Sequence, residues 1–214
     1  MRSVFIAFNL CLFIFVSTNC LSKDIKYVPG FYIGNNGDTV NGFFQVKDYN
    51  LPTIIKFKKD LLQEEGTWLS VDTCKALVVN QEAYVVWYGK RGMCYINQMD
   101  LNLVNIDSFR TERIPLKLIY HGNALSLYLY HDVTDHFFVG TGEAIHELSI
   151  SYRYLTDWEK LRFRVKPPTY LITPTFHSQL IDLMGETLTN KQSHLIEVSQ
   201  YDSYSLMKLF RKLD

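Results

Sequence analysis

Leu125-Ser126-Leu127-Tyr128-Leu129-Tyr130-His131-Asp132-Val133-Thr134-Asp135-His136-Phe137-Phe138-Val139 sets two β-prone runs on either side of a polar turn. Aromatic residues suit a pleated, half-buried surface. Asp and Thr favour turns because they bond their own backbone. Residues 125–130 are apolar on both alternating sets, so this strand is expected at the centre of a sheet and covered on both faces. Toward the N-terminus the pattern repeats. Residues 116–120 form another apolar run, ended by Gly122-Asn123. Residues 75–79 and 83–88 flank Asn80-Gln81-Glu82 as a hairpin, and Gly89-Lys90-Arg91-Gly92 reads as a turn. Residues 94–96 and 101–106 are weaker strand candidates. Farther back, Thr53 to Lys58 is a strand, followed by a charged connection over 61–67. Residues 30–33 and 39–47 flank Asn36-Gly37, the strongest short-range hairpin signal in the chain. Gly42 inside the second run indicates a bulge or a close backbone approach.

Toward the C-terminus the period changes after Gly140-Thr141-Gly142. Phe176, Leu180, Ile181 and Met184 recur at helical spacing, with Thr173 or Thr175 as N-cap and Gly185 as stop. Leu206, Leu209, Phe210 and Leu213 form a second stripe behind Asp202 and Ser203. The expected fold is α+β: mostly antiparallel strands, as a sheet or partly open barrel, followed by a small C-terminal helical tail over about residues 174–213.

The N-terminus has the three-part layout of a secretory signal: Arg2, an apolar run over residues 4–16 broken only by Asn9, then small and polar residues through Ser22. The run is short of the roughly 20 apolar residues that span a bilayer. Residues 1–22 are therefore expected to be a signal peptide, cleaved after Cys20 or Ser22, and residues 23–214 a single β-rich domain. An uncleaved anchor and lipidation at Cys20 are the alternatives; Asn19 stands where a lipoprotein signal has a smaller residue. No other segment reaches membrane-spanning length. Lys+Arg and Asp+Glu balance at 22 each, which gives no electrostatic reason to expect nucleic acid. Cys74 and Cys94 remain in the mature chain. They either pair, as an oxidising compartment permits, or stay separate as small buried hydrophobes.

The segment Gly30-Phe31-Tyr32-Ile33 through Gly37-Asp38-Thr39-Val40-Asn41-Gly42 resembles the GYI…GDTxxG opening of a family of uncharacterised exported proteins from Bacteroidetes-type bacteria. The later order is also similar: a Tyr-rich strand, a polar turn, an aromatic strand and a closing helical pair. The chain departs from that pattern between Tyr152 and Pro174. The resemblance implies export, an envelope setting and a β-rich fold, and assigns no catalytic residue.

Chemistry is sparse. His131, Asp132, Asp135 and His136 are candidate metal ligands, but the same residues are what a hairpin tip carries, and the turn reading is preferred. There is no G-x-S-x-G. Asp100, Asp107, Glu143 and Glu147 offer carboxylate pairs of the kind any such protein has. Gly37, Asp38, Thr39 and Gly42 form the one motif-grade cluster and read as structural, with Asp38 and Thr39 bonding the turn. Tyr84, Trp87 and Tyr88 form either an aromatic platform or core. No cofactor is expected. The reading is an exported, non-enzymatic binding or structural module whose partner is an envelope protein or a glycan. The alternative is a small secreted hydrolase, metal-assisted through His131 and His136. Mass spectrometry of the protein from its native host should find an N-terminus at residue 21 or 23. An intact Met1 refutes the cleaved signal, and an acyl mass on Cys20 converts it to the lipoprotein form.

Overall fold

The computed structural model describes residues 26–46, 51–93, 109–141, 144–154, 157–162 and 170–214. Ten antiparallel strands form one sheet: β1 (Lys26–Gly34), β2 (Thr39–Val46), β3 (Ile54–Lys58), β4 (Thr67–Ser70), β5 (Cys74–Val79), β6 (Glu82–Gly92), β7 (Phe109–His121), β8 (Ser126–His131), β9 (Asp135–Thr141) and β10 (Ala144–Leu148). Their order is β10-β9-β8-β7-β6-β5-β1-β2-β3-β4, and the sheet does not close. A second sheet pairs β11 (Ser151–Tyr154) with β12 (Tyr170–Thr173), and α1 (Asp157–Arg162) lies between them in sequence. The chain ends in α2 (Phe176–Met184), α3 (Asn190–Glu197) and α4 (Ser203–Leu213). The α+β plan with a helical tail is thus the observed one.

Turn chemistry sets the hairpins. Gly37 has φ +92°, and Gly34 closes the β1–β2 turn from both sides: its carbonyl accepts from Gly37 N and its N–H donates to Asp38 O, each at 2.9 Å. Val79 and Glu82 are joined by Asn80 and Gln81, both with positive φ, the pair of left-handed residues that a primed two-residue turn needs. At Gly42 a Cβ would stand 2.3 Å from Lys58 O and 2.4 Å from the Phe57 ring. The expected close approach is therefore real, and it lets β3 come against β2.

One strand differs from expectation. Gly89-Lys90-Arg91-Gly92 is no turn: β6 runs unbroken through it, with paired residues from Tyr84↔Lys117 to Gly92↔Phe109. Pro115 lies inside β7 opposite Val86, and β8 pairs with β7 only from Lys117 onward. The missing N–H of Pro115 thus costs no ladder bond to β8. β10 and β11, read only as a change of period, are strands.

Strand alternation gives β6 a core on each face. Tyr84 and Val86 pack with Phe44, Ile55, Phe57 and Leu77, where β1, β2, β3 and β5 curl over one side. Val85 and Trp87 pack with Ile114, Leu116 and Phe138 on the other side. There the sheet curls the opposite way. Trp87 Nε1 donates to Ile145 O (3.1 Å) and Gly92 N to Glu147 Oε2 (2.7 Å), so β6 meets β10 although three strands separate them in the sheet. The outside of this curl is covered by the helices. Leu127, Phe137, Val139 and Leu148 meet Phe176, Leu180, Ile196, Leu206 and Phe210. β8 is therefore covered on both faces, as its composition requires.

The last two helices start where side chains cap them. Asp202 accepts from Ser205 N at the head of α4, and Thr189 with Gln192 forms a capping box at α3. Thr175 occupies the cap position of α2 without capping it; its hydroxyl donates to Ser149 O (2.5 Å) and ties the helix to the end of β10. Gly185 ends α2 with φ +55°.

Phe138 is fully buried and 4.8 Å from Trp87, centroid to centroid. Phe138→Ala is expected to cost about 3–5 kcal/mol in urea denaturation. A loss below about 1 kcal/mol refutes the packed inner face of the curl.

Candidate functional site

The β8–β9 turn is built by Asp132, whose carboxylate Oδ1 accepts from Val133 N (2.5 Å) and Thr134 N (3.1 Å). The pairs closing it are Tyr130↔His136 and His131↔Asp135. Successive pairs point to opposite faces of a strand. The pleat therefore splits the four candidate ligands. His131 and Asp135 go outward toward the helices, joined by a 2.5 Å contact between Nδ1 and Oδ1. His136 goes inward. Among the described residues, no group of three or more His, Cys, Asp or Glu is placed to hold a metal ion.

His136 joins a buried ionic network inside the curl. Its Nδ1 is 3.0 Å from Glu147 Oε1. Its Nε2 is 3.1 Å from Arg91 Nη1, 3.2 Å from Asp132 Oδ1 and 3.3 Å from Thr134 Oγ1. Arg91 is 2% exposed; it reaches Glu112 Oε1 (2.5 Å) and Asp132 Oδ2 (2.8 Å) and stands 5.2 Å from the centre of the Tyr130 ring. One guanidinium thus links β6, β7, the β8–β9 turn and, through His136, β10. Both ring nitrogens of His136 have polar partners on the protein, so this imidazole is tied into the fold from both sides.

The outward pair has different surroundings. His131, Thr134 and Asp135 line a cleft of about 750 Å³ whose far wall carries Phe176, Gln200 and Tyr201. Its volume lies in the range of ligand sites, about 300–1,000 Å³. The far wall is tied to the sheet. Tyr201 donates its hydroxyl hydrogen to Leu148 O (2.6 Å) and accepts from Phe137 N (3.2 Å), with its ring edge-on to Phe137. His177 Nε2 lies 3.0 Å from Ser199 O. The sequence reading reached His131 and Asp135 but missed Phe176, Gln200 and Tyr201 as cleft residues. The available signal was the Asp202 cap, which fixes where α4 begins and so where its preceding linker lies.

The other candidates are dispersed. A smaller cleft of about 380 Å³ adjoins the β1–β2 turn, lined by Tyr32, Asn35, Asp38 and Thr73. Asp38 accepts from Asn36 Nδ2 (2.5 Å) and its N–H donates to Asn36 Oδ1 (3.1 Å). Asn36 and Asp38 tie this turn, while Thr39 opens β2 opposite Ile33. Tyr84 and Trp87 lie on opposite faces, in different cores, and exposed Tyr88 stacks with Arg113 (5.6 Å), so the three form no platform. Cys74 is buried, and burial pushes its thiol up while a contact with the Thr73 hydroxyl partly opposes this. Cys20, Cys94, Asp100, Asp107 and Glu143 lie outside the described residues. Burial pushes the Tyr84 phenol up, as does its hydrogen bond to Glu82. Burial works against the Glu82 carboxylate, yet the Lys117 ammonium and the Tyr84 hydroxyl hold it below the usual range. Asp214 is also held low, first by the N–H of Ala124.

Comparison with protein families, curated proteins and solved structures finds no match to this chain.

Removing one partner from a buried ion network leaves uncompensated charge. Arg91→Met is expected to destabilise the protein by about 3–5 kcal/mol in chemical denaturation at neutral pH. A loss below about 1 kcal/mol shows that the network is dispensable.

Proposed function

We propose that the protein is an exported envelope module that binds a glycan in the cleft between the β8–β9 turn and the helices, without catalysing a reaction. The observation that carries the reading is the outward His131–Asp135 pair on the rim of that cleft. The contact between them uses Nδ1 and Oδ1, which leaves Nε2 and Oδ2 for a ligand. A sugar hydroxyl both donates and accepts, and an imidazole nitrogen beside a carboxylate oxygen matches that need. Ile150 and Tyr201, both partly exposed, supply an apolar wall for a ring face. Export is supported by the layout of residues 1–22 and by the family resemblance of residues 30–42. The metal-assisted hydrolase has less behind it, because its two histidines lie on opposite faces of the hairpin.

Calorimetric titration of the mature chain with soluble oligosaccharides from the host envelope should give saturable binding. His131→Ala and Asp135→Ala should each weaken it about tenfold, the size of one charge-assisted hydrogen bond. Unchanged affinity in the double variant refutes the site. Failure of every oligosaccharide, together with an envelope protein cross-linked at position 135, replaces the glycan with a protein.

A further inference from the structure

The cleft between the β8–β9 turn and the helices has a charge of its own. The chain as a whole is neutral, with 22 basic and 22 acidic side chains. The cleft, in contrast, is lined by Asp135 on the turn and Asp202 on the α3–α4 linker, and no Lys or Arg is among the described residues that line it. His131 does not reverse this sign. As an imidazolium it offsets Asp135, 2.5 Å from its Nδ1, and Asp202 remains. Asp202 is half-buried, and its carboxylate has a backbone task. Oδ1 accepts from Ser205 N (2.9 Å) at the head of α4, and no cation among the described residues pairs with it.

This placement sorts ligands by charge. A helix N-terminus carries partial positive charge and by itself favours an anion. Asp202 already holds that position, so an anionic ligand meets a carboxylate where it needs a donor. A neutral ligand is also poorly matched. Covering the cleft strips water from Asp202, and a carboxylate that loses water without gaining a partner is costly. A ligand that brings its own cation removes that cost. An ammonium offers three N–H donors and no acceptor, and its hydrogen bonds to a carboxylate are charge-assisted.

We infer that the glycan carries a free, unacylated amino sugar whose ammonium is seated against Asp202, which makes Asp202 the residue that selects it. The inference rests on the glycan reading of this cleft and adds the charge of the ligand. The roles are separate: His131 and Asp135 engage hydroxyls at the rim, and Asp202 reads charge on the linker wall. Uronic acids and phosphorylated sugars are disfavoured by the same two carboxylates.

The test is calorimetric titration of the mature chain with three oligosaccharides of equal length: a glucosamine oligomer, its fully N-acetylated counterpart and a galacturonate oligomer. Mildly acidic buffer keeps the sugar amine protonated. The glucosamine oligomer should bind about tenfold tighter than the acetylated one, the size of one charge-assisted hydrogen bond, and the galacturonate oligomer should bind weakest. Added salt should weaken the first and leave the second unchanged. Asp202→Asn keeps a good helix cap and removes the charge, so it should bring the two affinities within about twofold without moving the urea midpoint. Equal or tighter binding of the acetylated oligomer overturns the inference and leaves the glycan cleft standing. A preference for the amine that persists in Asp202→Asn also overturns it. Silence from all three oligosaccharides removes the glycan reading and the amino sugar with it. If oligolysine then binds, and Asp202→Asn abolishes that binding, the cleft takes a basic peptide instead.

Discussion

Burial of β6 on both faces is the constraint from which the rest of the architecture follows. A strand with one wet face needs one cover, but β6 presents Tyr84 and Val86 to one side and Val85 and Trp87 to the other. Each set is apolar, and the sheet can dehydrate both only by curling in opposite directions on either side of the strand. The β1–β5 half closes over the first set. The β7–β10 half closes over the second until β10 stands against β6, where the Trp87 indole takes up Ile145 O. The same contact blunts the β10 edge, as does Gln179 Nε2 donating to Glu147 O (3.2 Å). Side chains thus occupy two carbonyls on an edge otherwise open to strand addition.

Curling brings charge inside as well as apolar surface. Arg91, Glu112, Asp132, His136 and Glu147 come from five places in the sequence and meet at the mouth of the curl. Desolvating so many ionisable groups gives little net stability, and an apolar filling of the same volume can be as stable. What the network supplies is geometry. Asp132 caps its own turn through Oδ1 and holds Arg91 through Oδ2. The turn that carries His131 and Asp135 is therefore referenced to the strands beneath it.

The cleft inherits that rigidity. One wall is this turn; the other is the linker between α3 and α4, fastened to the sheet by the Tyr201 hydroxyl. Ligand sites gain affinity when their groups need no ordering on binding. Both walls of this cleft are held by contacts within the protein.

Sequence by itself determined the elements whose signals are local. The β1–β2 and β5–β6 turns follow from Gly37 and from the Asn80-Gln81 pair; β8 and β9 follow from alternation about a polar turn; α2 and α4 follow from apolar residues at helical spacing. The Thr189-to-Gln192 capping box that starts α3 was equally local and went unread, because its helix has only a weak apolar stripe. Tertiary structure decided the rest. Gly89-Lys90-Arg91-Gly92 has turn chemistry residue by residue, but pairing with β7 across the whole strand outweighs four local preferences. Arg91 is buried because Glu112, Asp132 and His136 await it 21, 41 and 45 residues away, and no window of sequence contains that fact. Likewise, residues 131–136 read as a hairpin tip, which is what they form; the pleat, with a cover on each face, then sends His136 into the buried network and leaves His131 and Asp135 at the rim of a cleft.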